Sequence, residues 1–129
     1  MPELDVADLD RALRFYTGVC GFRVDYERPE EGFAYLEREG VELMLQAAAG
    51  PGRRFRTAPL EHPYGRGINL QIEVSDAGGL HAAMREAGVE PLVDLERRRY
   101  RVRGEDVISE QFVVADEDGY LLRFFTDRP

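Results

Sequence analysis

Tryptophan is absent from this 129-residue chain, cysteine occurs once and histidine twice. Without an indole, any aromatic stacking platform must be built from phenylalanine and tyrosine. The lone Cys20 cannot form an internal disulfide and has no metal-ligand spacing around it, so it reads as a small core residue at a helix end. His62 precedes Pro63 on a predicted loop and His81 lies in a predicted helix; they make no recognisable pair and read as surface histidines. No apolar run approaches the roughly 20 residues of a membrane span, and the start Met1-Pro2-Glu3-Leu4-Asp5 lacks a basic signal region. A cytoplasmic protein without a membrane partner is therefore expected. Phosphate loops, nucleophile elbows and zinc-type cysteine motifs are also missing. Basic charge is in deficit: the formal net charge of -8 disfavours nucleic acid, whose phosphates need a basic surface, and suits a cationic small ligand.

What the chain does contain is a repeat. Leu4-Asp5-Val6-Ala7-Asp8-Leu9 leads into an amphipathic stretch ending at Gly21, and Gly40-Val41-Glu42-Leu43-Met44-Leu45 follows. Ile72-Glu73-Val74-Ser75-Asp76-Ala77 leads into a second amphipathic stretch ending at Gly88, and Gly119-Tyr120-Leu121-Leu122-Arg123-Phe124 follows. Val6 and Val74, Asp8 and Asp76, Gly40 and Gly119, and Leu43 and Leu122 fall in register, which indicates a duplicated module building two halves of one site. With 43% hydrophobic residues, the length suits one domain, with module 1 at about 1–48, a linker at about 49–66 and module 2 at about 67–129.

Each module reads as strand, helix and three strands. Residues 2–6 form a short strand; Asp8 caps a helix carrying Leu9, Ala12, Leu13, Tyr16 and Cys20 at helical spacing. Phe22, Val24 and Tyr26 alternate with Arg23, Asp25 and Glu27 as in a half-buried strand, and two strands at 33–37 and 41–46 meet at a Glu39-Gly40 turn. In module 2, Ile68, Leu70, Ile72 and Val74 share one strand face. Asp76 caps a helix with a Leu80, Ala83, Met84, Ala87 stripe, and Gly78 and Gly79 each weaken its first turn by about 1 kcal/mol relative to alanine. Strands at 92–102, 107–115 and 120–126 follow, the first presenting a row of Arg97, Arg99, Arg101 and Arg103 suited to a solvated edge, a dimer contact or an anion site. Residues 47–67 read as a mobile linker that either closes over a pocket or merely joins the modules.

The duplicated βαβββ pattern, the Asp-capped helices, Phe15-Tyr16 before a Gly-Phe step, and Asp116-Glu117-Asp118-Gly119-Tyr120-Leu121-Leu122-Arg123-Phe124 resemble the vicinal oxygen chelate superfamily. Within it, the chain is most similar to the glyoxalase/bleomycin resistance protein/dioxygenase group and its bleomycin resistance-like branch. The resemblance implies an α+β fold in which each module's mixed sheet curls into half of a cup, with helices outside and the site on the concave face. Strand alternation then sends Leu43, Leu45, Leu70, Ile72, Val74, Leu122 and Phe124 toward the helices. It sends Glu42, Met44, Gln46, Asn69, Gln71, Glu73, Leu121, Arg123 and Phe125 into the cup. Metal-dependent relatives draw ligands from positions that correspond to Met1, Met44, Asn69 and Arg123, none of which suits a divalent ion.

No metal, cofactor or catalytic residue is therefore expected. The candidate ligand-binding residues are Phe33, Tyr35, Glu42, Met44, Asn69, Gln71, Tyr100, Arg123 and Phe125. Phe33, Tyr35, Tyr100 and Phe125 would stack on a flat aromatic ligand, and acidic groups would attract a cationic one. The resemblance implies an antibiotic-sequestering homodimer. It also implies a tryptophan near Tyr100, where this chain has Arg99. The alternative is a metal-dependent lyase, isomerase or dioxygenase on the same scaffold, its ion held by Glu3, Glu42, Glu73 or Gln46.

Overall fold

A computed structural model describes residues 1–128. The chain divides into two compact units, one spanning Met1–Tyr64 and the other starting at Gly65. Strand β1 (Glu3–Val6), helix α1 (Leu9–Leu13) and strands β2 (Arg23–Arg28), β3 (Phe33–Arg38) and β4 (Val41–Ala47) make the first. The second contains β5 (Asn69–Glu73), α2 (Ala77–Glu86), β6 (Val93–Val102), β7 (Glu105–Ala115) and β8 (Leu121–Arg128). The α+β class and both βαβββ modules are as the sequence indicates. The sheets have the orders β1-β4-β3-β2 and β5-β8-β7-β6, with a parallel β1–β4 or β5–β8 pair and antiparallel pairs elsewhere. The repeat extends to the register: Glu3 lies opposite Met44 in the first sheet, and Gln71 lies opposite Arg123 in the second.

In each unit the helix covers one face of its own sheet. Helix α1 packs on β4, and α2 packs on β7 and β8. Alternation selects the covered side chains: Leu43, Leu45, Ile72, Val74, Leu122 and Phe124 are all buried, while Leu70, beside an edge, is half-buried. Tyr16, Cys20 and Leu36 complete the first core; Met84, Val114 and the stacked pair Phe112 and Phe124, 5.5 Å between centroids, complete the second.

Several local expectations are corrected. The first helix does not continue as α-helix to Gly21 but becomes a π-helical turn over Arg14–Val19, closed by Cys20 N–H donating to the Phe15 carbonyl. β-branched Thr17 donates its hydroxyl to the Leu13 carbonyl at 2.6 Å, and the wider turn lets both Tyr16 and Cys20 reach the core. Val24 and Tyr26 are exposed, at 37% and 47%, because β2 is an edge strand with a bulge at Asp25. Ile68 precedes β5 and is exposed, since pairing with β8 begins only at Asn69. The α2 stripe is Ala77, Leu80 and Met84, leaving Ala83 and Ala87 exposed. His81 is half-buried and not fully at the surface: its ring packs edge-on against Phe112, and Nε2 bonds Asp94 Oδ1 at 2.6 Å.

The turns follow their glycines. Glu39-Gly40 and Arg103-Gly104 both place two residues at positive φ between paired strands, the twist-matched hairpin geometry in which the second residue is best served by glycine. Among the described residues no helix is long and apolar enough to cross a membrane.

Candidate functional site

Each sheet keeps one face free of its own helix, and the candidate residues lie there. In the first unit, cross-strand register puts Glu3 and Asp5 from β1, Met44 and Gln46 from β4, Phe33 and Tyr35 from β3, and Tyr26 from β2 on one side. Tyr35 stacks on Tyr26 at 4.9 Å and 22° and donates its hydroxyl to Glu42. That bond to Glu42, with burial and the negative charge adding to it, pushes the Tyr35 phenol up to about 12. Glu42 is thereby engaged by a tyrosine. Tyr26, unassigned from sequence, is the more exposed ring of the pair; its alternation with charged residues was the available signal.

Phe33 is buried and covered by Arg28, whose guanidinium carbon stands 4.1 Å from the ring centroid. Beside it lies a cavity of about 190 Å³ lined by Phe33, Gln46, Glu31, Arg53 and Phe55 among others, smaller than the roughly 300 Å³ at which drug-sized pockets begin. Part of its wall comes from the segment between the modules. Arg54 donates to the Ala47 carbonyl at 2.8 Å and the Glu31 carbonyl at 3.3 Å, and Arg56 donates Nε to Asp5 at 2.7 Å. Asp5 also accepts from Gln46 at 2.6 Å, so a buried carboxylate on the sheet face anchors this segment. The start of the linker thus belongs to the first unit.

In the second unit the same side of the sheet carries Asn69, Gln71 and Glu73 from β5, Leu121, Arg123 and Phe125 from β8, Gln111 from β7, and Glu96 and Tyr100 from β6. Four of these form one network. Arg123 donates Nε to Gln111 Oε1 at 3.2 Å and reaches the Tyr100 hydroxyl from Nη2 at 3.5 Å. Gln111 donates Nε2 to the Tyr100 hydroxyl at 2.9 Å and to Glu96 at 3.2 Å. The Arg123 guanidinium also lies 5.7 Å from the Tyr100 ring centroid. Phe125 is half-buried opposite Gln111, while Asn69 and Gln71 stand exposed on the edge strand. Sequence reasoning named Arg123 and Tyr100 but missed Gln111, the buried amide between them. Its polarity at an inward position within an apolar strand was the signal. The arginine row runs elsewhere: Arg97 and Arg99 project from the opposite side of β6, toward Glu110 at 3.3 Å and Asp106 at 3.9 Å.

The metal positions implied by resemblance do not fit a divalent ion. Met44 offers only a thioether, and Arg123 is a fixed cation already held by Gln111. Among the described residues no three His, Cys, Asp or Glu side chains gather as a metal-binding group.

A family model described as "Glyoxalase/Bleomycin resistance protein/Dioxygenase superfamily" matches residues 3–124. Similar solved structures include TioX from Micromonospora sp. ML1, at 23% identity and TM-score 0.73, covering 98% of this chain and 96% of that one. A glyoxalase/bleomycin resistance protein/dioxygenase from Alicyclobacillus acidocaldarius is 22% identical with TM-score 0.66, covering 98% and 89%. Virulence protein STM3117 from Salmonella typhimurium is 17% identical with TM-score 0.73, covering 97% and 92%. No curated protein matches the chain.

Proposed function

The chain belongs to the Glyoxalase/Bleomycin resistance protein/Dioxygenase superfamily, and from that premise we propose that it sequesters a flat organic ligand without a metal and without altering it. The observation that carries this reading is Arg123. A guanidinium pinned by Gln111 and Tyr100 occupies a position from which the resemblance would draw a metal ligand, and a permanent positive charge there opposes a divalent cation. Met44 at the duplicated position adds a soft, weak donor suited to apolar contact. What remains on the two helix-free faces is binding chemistry: the exposed Tyr26 and half-buried Tyr35 stack, Phe125, Tyr100, and amides at Asn69 and Gln71. Each aromatic contact with a flat ligand adds about 0.5–1.5 kcal/mol beyond burial, and the net charge of -8 draws a cationic ligand in. An antibiotic-resistance role by sequestration, in a cytoplasmic homodimer, follows from the same reading.

The test is calorimetric titration with a demetallated, cationic bleomycin-type glycopeptide in excess chelator, followed by mass analysis of the recovered ligand. Saturable binding with ligand mass unchanged is expected. Binding or turnover that appears only when a divalent metal is restored would overturn the reading.

A further inference from the structure

We propose that the helix-free face of the second unit carries an oxyanion site, in which Arg123 and Tyr100 receive a carboxylate borne by an aromatic ligand. The inference rests on the binding reading and specifies what this part of the face takes. A guanidinium has five N–H donors. At Arg123, Nε is committed to Gln111 and one Nη2 proton to Tyr100, which leaves three donors without a protein acceptor among the described residues. No Asp or Glu lies within ion-pair distance of Arg123 among the described residues, although Glu73 is on the same face. Tyr100 is in the same position: its oxygen accepts from both Gln111 and Arg123, so its own O–H points to no acceptor among the described residues.

Donors therefore converge with no acceptor between them. Gln111 explains why the arrangement is built and not accidental: it is buried, its carbonyl oxygen fixes the guanidinium and its amide fixes the phenol. Glu96 accepts from that amide at 3.2 Å, has Arg98 3.9 Å away, and makes no ion pair with Arg123 among the described residues. A carboxylate fits the planar fork bidentately, which inorganic cations and ammonium groups cannot do. Phe125, two residues along the same strand and on the same face, together with the Tyr100 ring, supplies the apolar flank for the ring that bears the acid.

The experiment titrates the protein with benzoate and, separately, with benzylammonium, following arginine Nε–Hε and backbone amide resonances. Benzoate is expected to bind and to move the Arg123 signal. Arg123→Met, which installs the residue that the first module carries at this position, is expected to weaken benzoate at least about tenfold with the amide spectrum otherwise intact. Tyr100→Phe, which removes one oxygen, is expected to weaken it severalfold, and Arg99→Met on the opposite side of β6 is expected to leave it unchanged. Benzoate binding that survives Arg123→Met and Tyr100→Phe at full strength would overturn the proposal, as would no benzoate binding at all. Benzylammonium binding in place of benzoate would remove the oxyanion assignment while leaving the sequestration reading intact, and the glycopeptide titration judges that reading separately.

Discussion

Tyr35 illustrates how one side chain on the open face of the first sheet is tuned by its neighbour. Its hydroxyl bonds the Glu42 carboxylate, so ionising the phenol would place two negative charges in contact, and the phenol is held up to about 12. Because the folded value lies above the ordinary value of about 10, the associated stability is fully present below pH about 10. It is lost as the pH rises to about 12. Ultraviolet titration should show Tyr35 ionising late, and Glu42→Gln should remove that late-ionising component. A titration curve unchanged by Glu42→Gln would contradict the assignment. At the bottom of the pH range, Glu37 behaves oppositely. The Gly40 amide, then Arg23, favours its ionised form, so its contribution is present above the ordinary carboxylate range and lost as pH falls through the lowered value.

Among the elements, helix α2 shows where composition misleads. Gly78 and Gly79 look like a weakness of about 1 kcal/mol each. Yet the Gly79 amide donates to the capping Asp76 carboxylate at 2.9 Å, and a Cβ at Gly79 would come within 2.5 Å of the same carboxylate. Gly79→Ala should therefore be nearly neutral in chemical denaturation, the propensity gain being offset by a lost cap of about 1 kcal/mol. A gain of a full kcal/mol would show the cap to be dispensable. The segment after β4 gives a second expectation. Arg56→Ala removes the bond to Asp5, so amides at 48–56 should exchange faster while those of β3 and β4 hold. Uniform protection throughout would rule out Arg56 as the fastening.

Much of this element-level structure was legible because it depends on short-range rules. Period-two alternation assigned Leu43, Leu45, Leu122 and Phe124 to the covered face, and Asp8 and Asp76 announced both helix starts. Contacts that depend on pairing over long separations were not legible. Gln111 meets Arg123 only once β7 and β8 are in register, and the π-turn at Arg14–Val19 depends on packing that a 3.6-residue period does not encode. The exposure of Val24 and Tyr26 follows from strand order, which alternation along one strand leaves open.

For the molecule as a whole, exposed apolar side chains on edge strands have a consequence. Val24 and Tyr26 on β2, and Val93, Leu95, Tyr100 and Val102 on β6, are each at least 36% exposed on strands with an unpaired edge. Unprotected edges bearing apolar groups favour a partner strand, so we expect a homodimer, seen as twice the chain mass of 14.7 kDa in light scattering at micromolar concentration. A monomer there would contradict that expectation.

The central claim, that this superfamily member binds without a metal, is tested most directly by elemental analysis of protein purified without chelator and without affinity metals. The account predicts well under one-tenth of an equivalent of zinc, nickel, iron or manganese per chain, because Arg123 and Met44 stand where the resemblance would place ligands. Close to one equivalent of any of these metals per chain, lost on substituting Glu3, Glu42, Gln46 or Glu73, would contradict it.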